Sequence, residues 1–238
     1  MKFETPLIPC TFLERRKRFF ADVRLADGTL LTAHCPNSGS MKGCLVPGGP
    51  AWISDSGNPA RALRHTLELL QVGDARLLVN THRPNALAEE AIRAGVIPGL
   101  ADYPEVRREV RYGSENSRVD LHLSDPRTPK RPVCFVEVKN VTMGTPDGRC
   151  RFPDAVTARG TKHLRELAAQ VALGHRAVLL FCVGRDDGQR VQPADDLDPT
   201  YGQTLRWAAA AGVELMAWRL HITPEAVVMV APVPVELP

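Results

Sequence analysis

From Phe19 to Leu25 apolar and polar side chains alternate over most of the run, the mark of a half-buried strand. Asp27-Gly28 supplies the positive-φ residues of a tight hairpin, and Thr29 to Cys35 returns as its partner. Further short strands are read at Ala51–Ser54, Thr66–Leu70 and Ala75–Thr81, separated by loops that include Pro36–Ser40 and Pro47–Pro50. About five strands in so short a stretch predict a small closed β-barrel, and the OB-fold is the commonest barrel of that size to bind nucleic acid.

At Pro84 the texture changes. Asn85 reads as the N-cap of a helix over 86–94, which Gly95 ends. Strands follow at 106–112, 117–123 and 132–142. A loop rich in Gly and Pro leads to a helix over 155–173, then a strand at 176–184, a helix at 201–211 and a strand at 213–220. The apolar run Ala177-Val178-Leu179-Leu180-Phe181 suits a strand covered on both faces. The expectation is a mixed α/β chain with a barrel domain over residues 1–83 and a second domain over 84–238.

Composition adds little until the charge is divided. The chain carries a formal +3, but residues 1–83 hold 11 Lys and Arg against 7 Asp and Glu, whereas residues 84–238 hold 19 against 20. The positive surplus lies wholly in the first part, as a phosphate-tracking surface requires, although solubility alone accounts for so modest an excess. No apolar run approaches the roughly 18 residues of a membrane helix. The first residues lack the apolar core of a signal peptide, so a cytoplasmic protein is expected. The six cysteines form no CxxC pair and read as buried thiols; His34, Cys35 and Cys44 fit no common zinc spacing.

Three residues stand out for chemistry. Glu137 and Lys139 alternate with Val136 and Val138, so both project from one face of a strand, and a hairpin from the preceding strand can bring Asp120 beside Glu137. Two carboxylates suit Mg²⁺ or Mn²⁺, and a neighbouring Lys can stabilise a phosphoryl transition state. An E-x-K pair is also common on solvent-facing sheets, but the apolar neighbours here point to a buried strand, where unpaired charge is costly. Glu89, on the helix face of Ile92 and Val96, is the better placed of Glu89 and Glu90 to add a third metal-site carboxylate; both are equally readable as solvated charges.

Candidate nucleic-acid contacts are the run Arg15, Arg16 and Arg18 followed by Phe19-Phe20, the loop residues Asn37 and Ser38, Arg61 and Arg64, and the helix residues Arg159, Lys162 and His163. Each group has a plain alternative as turn-making or solvated charge. His163 is also a candidate base.

Three stretches, His34–Met41, Asn80–Asn85 and Phe152–Leu164, together with Ser117-Arg118-Val119-Asp120 and Val136-Glu137-Val138-Lys139, resemble the sugar fermentation stimulation protein family (SfsA) in one order across nearly the whole chain. The resemblance implies an N-terminal OB-fold, a C-terminal restriction-endonuclease-like PD-(D/E)xK domain, DNA binding and a regulatory part in sugar (maltose) metabolism. Its nuclease positions fall on Asp120, Glu137 and Lys139. Departures at Lys17, Ser40 and Gly43-Cys44 touch the contacts of the barrel. Two functions follow as expectations: a metal-dependent nuclease acting on DNA, with RNA the alternative target, or a DNA-binding regulator that keeps the fold without turnover. A sugar-binding or protein-interaction module would bind neither nucleic acid.

Overall fold

A computed structural model of residues 1–238 places six strands in the first part of the chain: β1 (Ile8–Arg16), β2 (Phe20–Leu25), β3 (Leu30–His34), β4 (Pro50–Asp55), β5 (His65–Val72) and β6 (Ala75–Leu78). They hydrogen-bond in the order β3-β2-β1-β4-β5-β6, and a parallel contact of His34 with Thr66 joins β3 to β5. That contact closes the first five strands into the Greek-key barrel of an OB-fold. The hairpin at Asp27-Gly28 forms as the sequence indicates, with Gly28 at φ 87°. Phe12, Val23, Ile53, Leu67 and Leu77 fill the barrel.

The strand pattern read from sequence began too late. β1 has Pro9 near its start and ends in Arg15 and Arg16, and a bulge between Phe12 and Glu14 breaks its alternation. Lys17 and Arg18 lie in the turn after it, both at positive φ. The basic run is therefore a strand end and a turn rather than one continuous patch.

The second part comprises α1 (Pro84–Arg93), β7 (Glu105–Tyr112), β8 (Ser117–Ser124), β9 (Cys134–Val141), β10 (Arg149–Phe152), α2 (Ala158–Ala172), β11 (Arg176–Val183), β12 (Arg190–Pro193), α3 (Pro199–Ala210), β13 (Glu214–Ile222) and β14 (Val227–Pro232). The main sheet runs β14-β13-β11-β9-β8-β7, with β9, β11 and β13 parallel and the flanking pairs antiparallel. The strands β10, β12 and β14 have no counterpart in the periodicity reading. β10 and β12, four residues each, form a separate parallel pair, too short to show a period.

Helix α1 opens differently from its sequence reading. Pro84 occupies the first turn, where its missing N–H costs nothing, and Arg83 precedes it without a side-chain cap. Asn85 is thus free of capping and turns to the sheet. Helix α2 starts at Ala158 because the Thr157 hydroxyl accepts the Gly160 N–H at 3.0 Å.

Strand β11 is covered on both faces. Val178, Leu180 and Cys182 pack with Leu87, Ala88 and Ile92 of α1, and Leu179, Phe181 and Val183 pack with Leu164 and Leu167 of α2 and Leu205 of α3. The barrel joins the first of these cores through Leu7, Leu69 and Leu78. Burying each such side chain is worth about 1.5–3 kcal/mol. Polar contacts lock the join: Leu78 N donates to Gly184 O at 2.8 Å, Asn140 Nδ2 to Leu78 O at 3.0 Å, and Arg76 N to Asp186 Oδ1 at 3.0 Å. The first residues also cross to the sheet, where Lys2 bridges Ala226 beside β14. No helix is long and apolar enough to cross a membrane.

Candidate functional site

The ladder between β8 and β9 ends at Leu121 opposite Val136. One residue further, the Asp120 carboxylate replaces a backbone acceptor and takes the Val138 N–H at 2.7 Å. Here β8 rotates: Leu121 points into the α1-side core, whereas Val119, two residues away, lies in the α2-side core. On the neighbouring strand Glu109 adopts a left-handed conformation at the same level (φ 54°). The splayed strands leave a gap, and Asp120 and Glu137 face each other across it.

Glu137 is 2% exposed. Its Oε1 accepts Lys139 Nζ at 2.6 Å and also the Nδ1–H of His163. Its Oε2 is buried with no hydrogen-bond partner. Arg159 Nε donates to His163 Nε2 at 3.3 Å, which assigns the imidazole proton to Nδ1, the nitrogen facing Glu137. Burial works to raise the Glu137 carboxyl, but Lys139 and His163 outweigh it and hold it below the ordinary value. Asp120 responds the other way. Burial, then the charge on Glu137, push it up to about 6, against the hydrogen bonds from Val138 N and Asn85 Nδ2.

The pair lies in a cleft of about 440 Å³ walled by Asn37, Ser38 and Gly39 of the barrel on one side and by Lys139, Arg159 and His163 on the other. Asp154 fastens the barrel loop over the sheet: its Oδ2 accepts Met41 N at 2.8 Å and its carbonyl accepts Ser40 Oγ at 2.7 Å. Gly39 is required there, since a Cβ would lie 2.6 Å from Asp154 Oδ2.

The residues singled out from sequence divide into those at the cleft and those engaged elsewhere. Asp120, Glu137, Lys139, Arg159, His163, Asn37 and Ser38 all line it. Asn37 is 5% exposed and serves its own loop, donating to Val79 O at 3.2 Å and accepting Gly39 N at 2.9 Å. Arg15 is a clamp within the barrel, donating to Gly39 O at 3.0 Å, to Arg18 O at 2.7 Å and to Asn37 O. Arg16 pairs with Asp22, and Arg64 pairs with Asp55 at 2.7 Å. Arg18 is exposed in the turn. Lys162 donates to the Glu115 carbonyl and does not line the cleft. Glu89 does not reach the site: Arg93 at 2.9 Å and Arg108 hold it on the outer side of α1. Glu90 pairs with the N-terminal amine at 2.6 Å. Arg61 lies in a second cleft.

Sequence reasoning missed Asn85 and Asp154. Asn85 donates to Asp120 Oδ1 at 2.8 Å, a role hidden by its apparent fitness as an N-cap. The Phe-Pro-Asp triplet before α2 marked Asp154, but nothing local in it points to a barrel loop more than a hundred residues upstream.

Asp120 and Glu137 are the side chains here that could hold a cation. No group of three or more His, Cys, Asp or Glu converges here or elsewhere. Two carboxylates with an unpartnered buried oxygen fit an ion that retains waters and takes phosphate oxygens, as Mg²⁺ does, rather than a fully caged one.

Comparison with known proteins matches a family model to each part of the chain. A family model described as the SfsA N-terminal OB domain matches residues 13–80, and one described as the sugar fermentation stimulation protein RE domain matches residues 82–226. A sugar fermentation stimulation protein homolog of Teredinibacter turnerae is 58% identical over 220 residues, 92% of each chain. One from Geobacter metallireducens is 52% identical over 237 residues, the full length of both. A solved structure, that of Pyrococcus furiosus SfsA in complex with Ca²⁺, superposes with a TM-score of 0.87 at 25% identity, covering 99% of this chain and 98% of that one.

Proposed function

Because the chain belongs to the sugar fermentation stimulation protein family, we propose that it is a cytoplasmic DNA-binding protein whose second domain, of the PD-(D/E)xK type, hydrolyses phosphodiester bonds with Mg²⁺ or Mn²⁺. The observation that carries the reading is the buried acid pair: burial and the charge on Glu137 raise Asp120, and Glu137 Oε2 has no partner within the protein. Carboxylates are placed together in a low-dielectric site only at a cost, which a bound cation offsets. The Ca²⁺ complex of the Pyrococcus furiosus relative supports a divalent ion of the hard, oxygen-seeking kind.

Asp120 and Glu137 would hold the ion, which supplies Lewis acidity toward a phosphate oxygen and activates water. The chain's own side chains do the remaining work. Lys139, 2.6 Å from Glu137, places a point charge beside the scissile phosphate, where negative charge grows in the transition state. His163 fixes the rotamer of Glu137, and Arg159 both fixes the tautomer of His163 and presents a guanidinium to the strand. The barrel loop over 37–41 confines the substrate from above.

The test is incubation of the purified protein with supercoiled plasmid and Mg²⁺ or Mn²⁺, beside Glu137→Ala. Nicking by the wild type that is lost in the variant is the expected result. Equal background in both removes the nuclease and leaves a DNA-binding regulator. RNA offered in parallel identifies the preferred backbone.

A further inference from the structure

A second cleft, of about 570 Å³, opens on the far side of the connector between the two parts of the chain. The connector is a ridge there. Thr81 faces the carboxylate cleft and the adjacent His82 faces the second one. His34 from the end of β3, Thr66 from the start of β5, and Arg61 from the loop between β4 and β5 supply the rest of the polar wall.

The charges in this cleft are unequally matched. Glu68 is 1% exposed and fully satisfied by Arg83 at 2.7 and 3.0 Å, Asn80 at 2.9 Å and Ser54 at 2.8 Å. Asp55 is taken by Arg64. Glu4, at the rim, acts on Arg83. Arg61 has no carboxylate; it donates to Thr66 Oγ1 at 3.0 Å, and its Nη2 lies 3.4 Å from His34 Nδ1. Burial, then Arg61 and His82, hold the His34 imidazole below its ordinary value. Arg61 therefore meets two imidazoles with no carboxylate bonded to any of the three, the acids of the same cleft being held by Arg83 and Arg64, and a bound anion would complete the set.

We propose that His34, Arg61 and His82 form a phosphate-binding subsite that grips the backbone of the same DNA strand whose neighbouring linkage lies in the carboxylate cleft, the strand crossing the Thr81–His82 ridge. This rests on the reading of the protein as a DNA binder. The planar guanidinium and two ring N–H groups recognise phosphate oxygens without reading bases, so the subsite sets register and not sequence. It also explains why Arg61 and the loop that carries it stand away from the metal-binding acids: they hold the strand, and the acids act on it.

The experiment uses the full chain in EDTA, where no cleavage intrudes. Fluorescence anisotropy with a fluorescein-labelled single-stranded oligodeoxynucleotide is read across a salt series for wild type, Arg61→Ala and the double variant His34→Gln/His82→Gln. Arg61→Ala is expected to bind about tenfold more weakly, with a log–log salt slope shallower by about 0.7. A second arm replaces one linkage of the oligonucleotide at a time by an uncharged methylphosphonate. One position should weaken wild type and leave Arg61→Ala unaffected; should Arg61→Ala fold poorly, the double variant takes its place in this comparison. Wild-type affinity and slope in both variants overturn the subsite and leave the nuclease reading standing. Binding that depends on Arg61, in a protein that never nicks plasmid, keeps the subsite and removes the nuclease. A wild type that binds no DNA overturns both.

Discussion

Asp120 accepts the backbone N–H of Val138 at 2.7 Å, so a side chain takes the place of a ladder hydrogen bond where β8 and β9 part. The splayed strands let a carboxylate enter the sheet beside Glu137, and the unusual electrostatics of the site follow from that replacement.

The first consequence is a pH dependence of stability in the metal-free protein. Asp120 is raised from 3.8 to about 6. Below the lower value it is protonated in both folded and unfolded chains and contributes nothing. As pH rises between the two values the unfolded chain releases the proton while the fold retains it, so folding is progressively penalised, by about 3 kcal/mol once both have ionised. Asp120→Asn should therefore gain on wild type in EDTA as pH rises from about 4 to about 7. Mn²⁺ should reverse the order near neutral pH by stabilising only the wild type, by about 2.7 kcal/mol at a hundredfold excess over Kd. Thermal midpoints across pH, with and without Mn²⁺, check both; a difference between the two proteins that is flat with pH would sink the argument.

His163 is a positioning residue in this scheme. Its Nδ1–H fixes Glu137 Oε1 and helps hold that carboxyl down. His163→Gln should weaken divalent-cation affinity by about 10–100-fold, as loss of a partner behind a metal ligand does. It should also shift the acid limb of cation binding to higher pH, because Glu137 loses one of the two groups that favour its charge. Calorimetric titration with Mn²⁺ at several pH values separates this from a loss of packing, which would lower stability and leave the pH limb in place.

Gly39 sits against Asp154 with no room for a side chain. Gly39→Ala must displace either the loop or the carboxylate that holds Met41 N and Ser40, at a cost of about 1–3 kcal/mol. The expected outcome is a lower thermal midpoint together with weaker DNA binding, while Mn²⁺ affinity in the absence of DNA stays at the wild-type level. A simultaneous loss of cation affinity would show that the loop supports the acids directly.

How much of this was legible follows from the range of each interaction. Strand alternation, the Asp27-Gly28 hairpin, the doubly buried β11 and the shared face of Glu137 and Lys139 are local, and a period of two residues suffices to read them. Asp120 could be matched with Glu137 because a hairpin links their strands. Arg15, Arg64 and Lys162 read as nucleic-acid contacts and Glu89 as a metal-site carboxylate, yet each is satisfied by a partner that periodicity does not show: the Gly39 carbonyl, Asp55, the Glu115 carbonyl and Arg108. A charge in sequence carries no record of what neutralises it.

By itself the sequence indicated a barrel followed by an α/β part and put Glu137 and Lys139 on one face of a strand, because burial patterns and residue spacing are properties of the chain. Only the tertiary structure decided which bases face a cleft, that Asn85 and His163 hold the two acids, and that an Asp154 carboxylate ties the barrel loop over them. Those contacts join segments tens to over a hundred residues apart, and they exist only once the barrel and the sheet share a core through Leu69, Leu78 and Leu87.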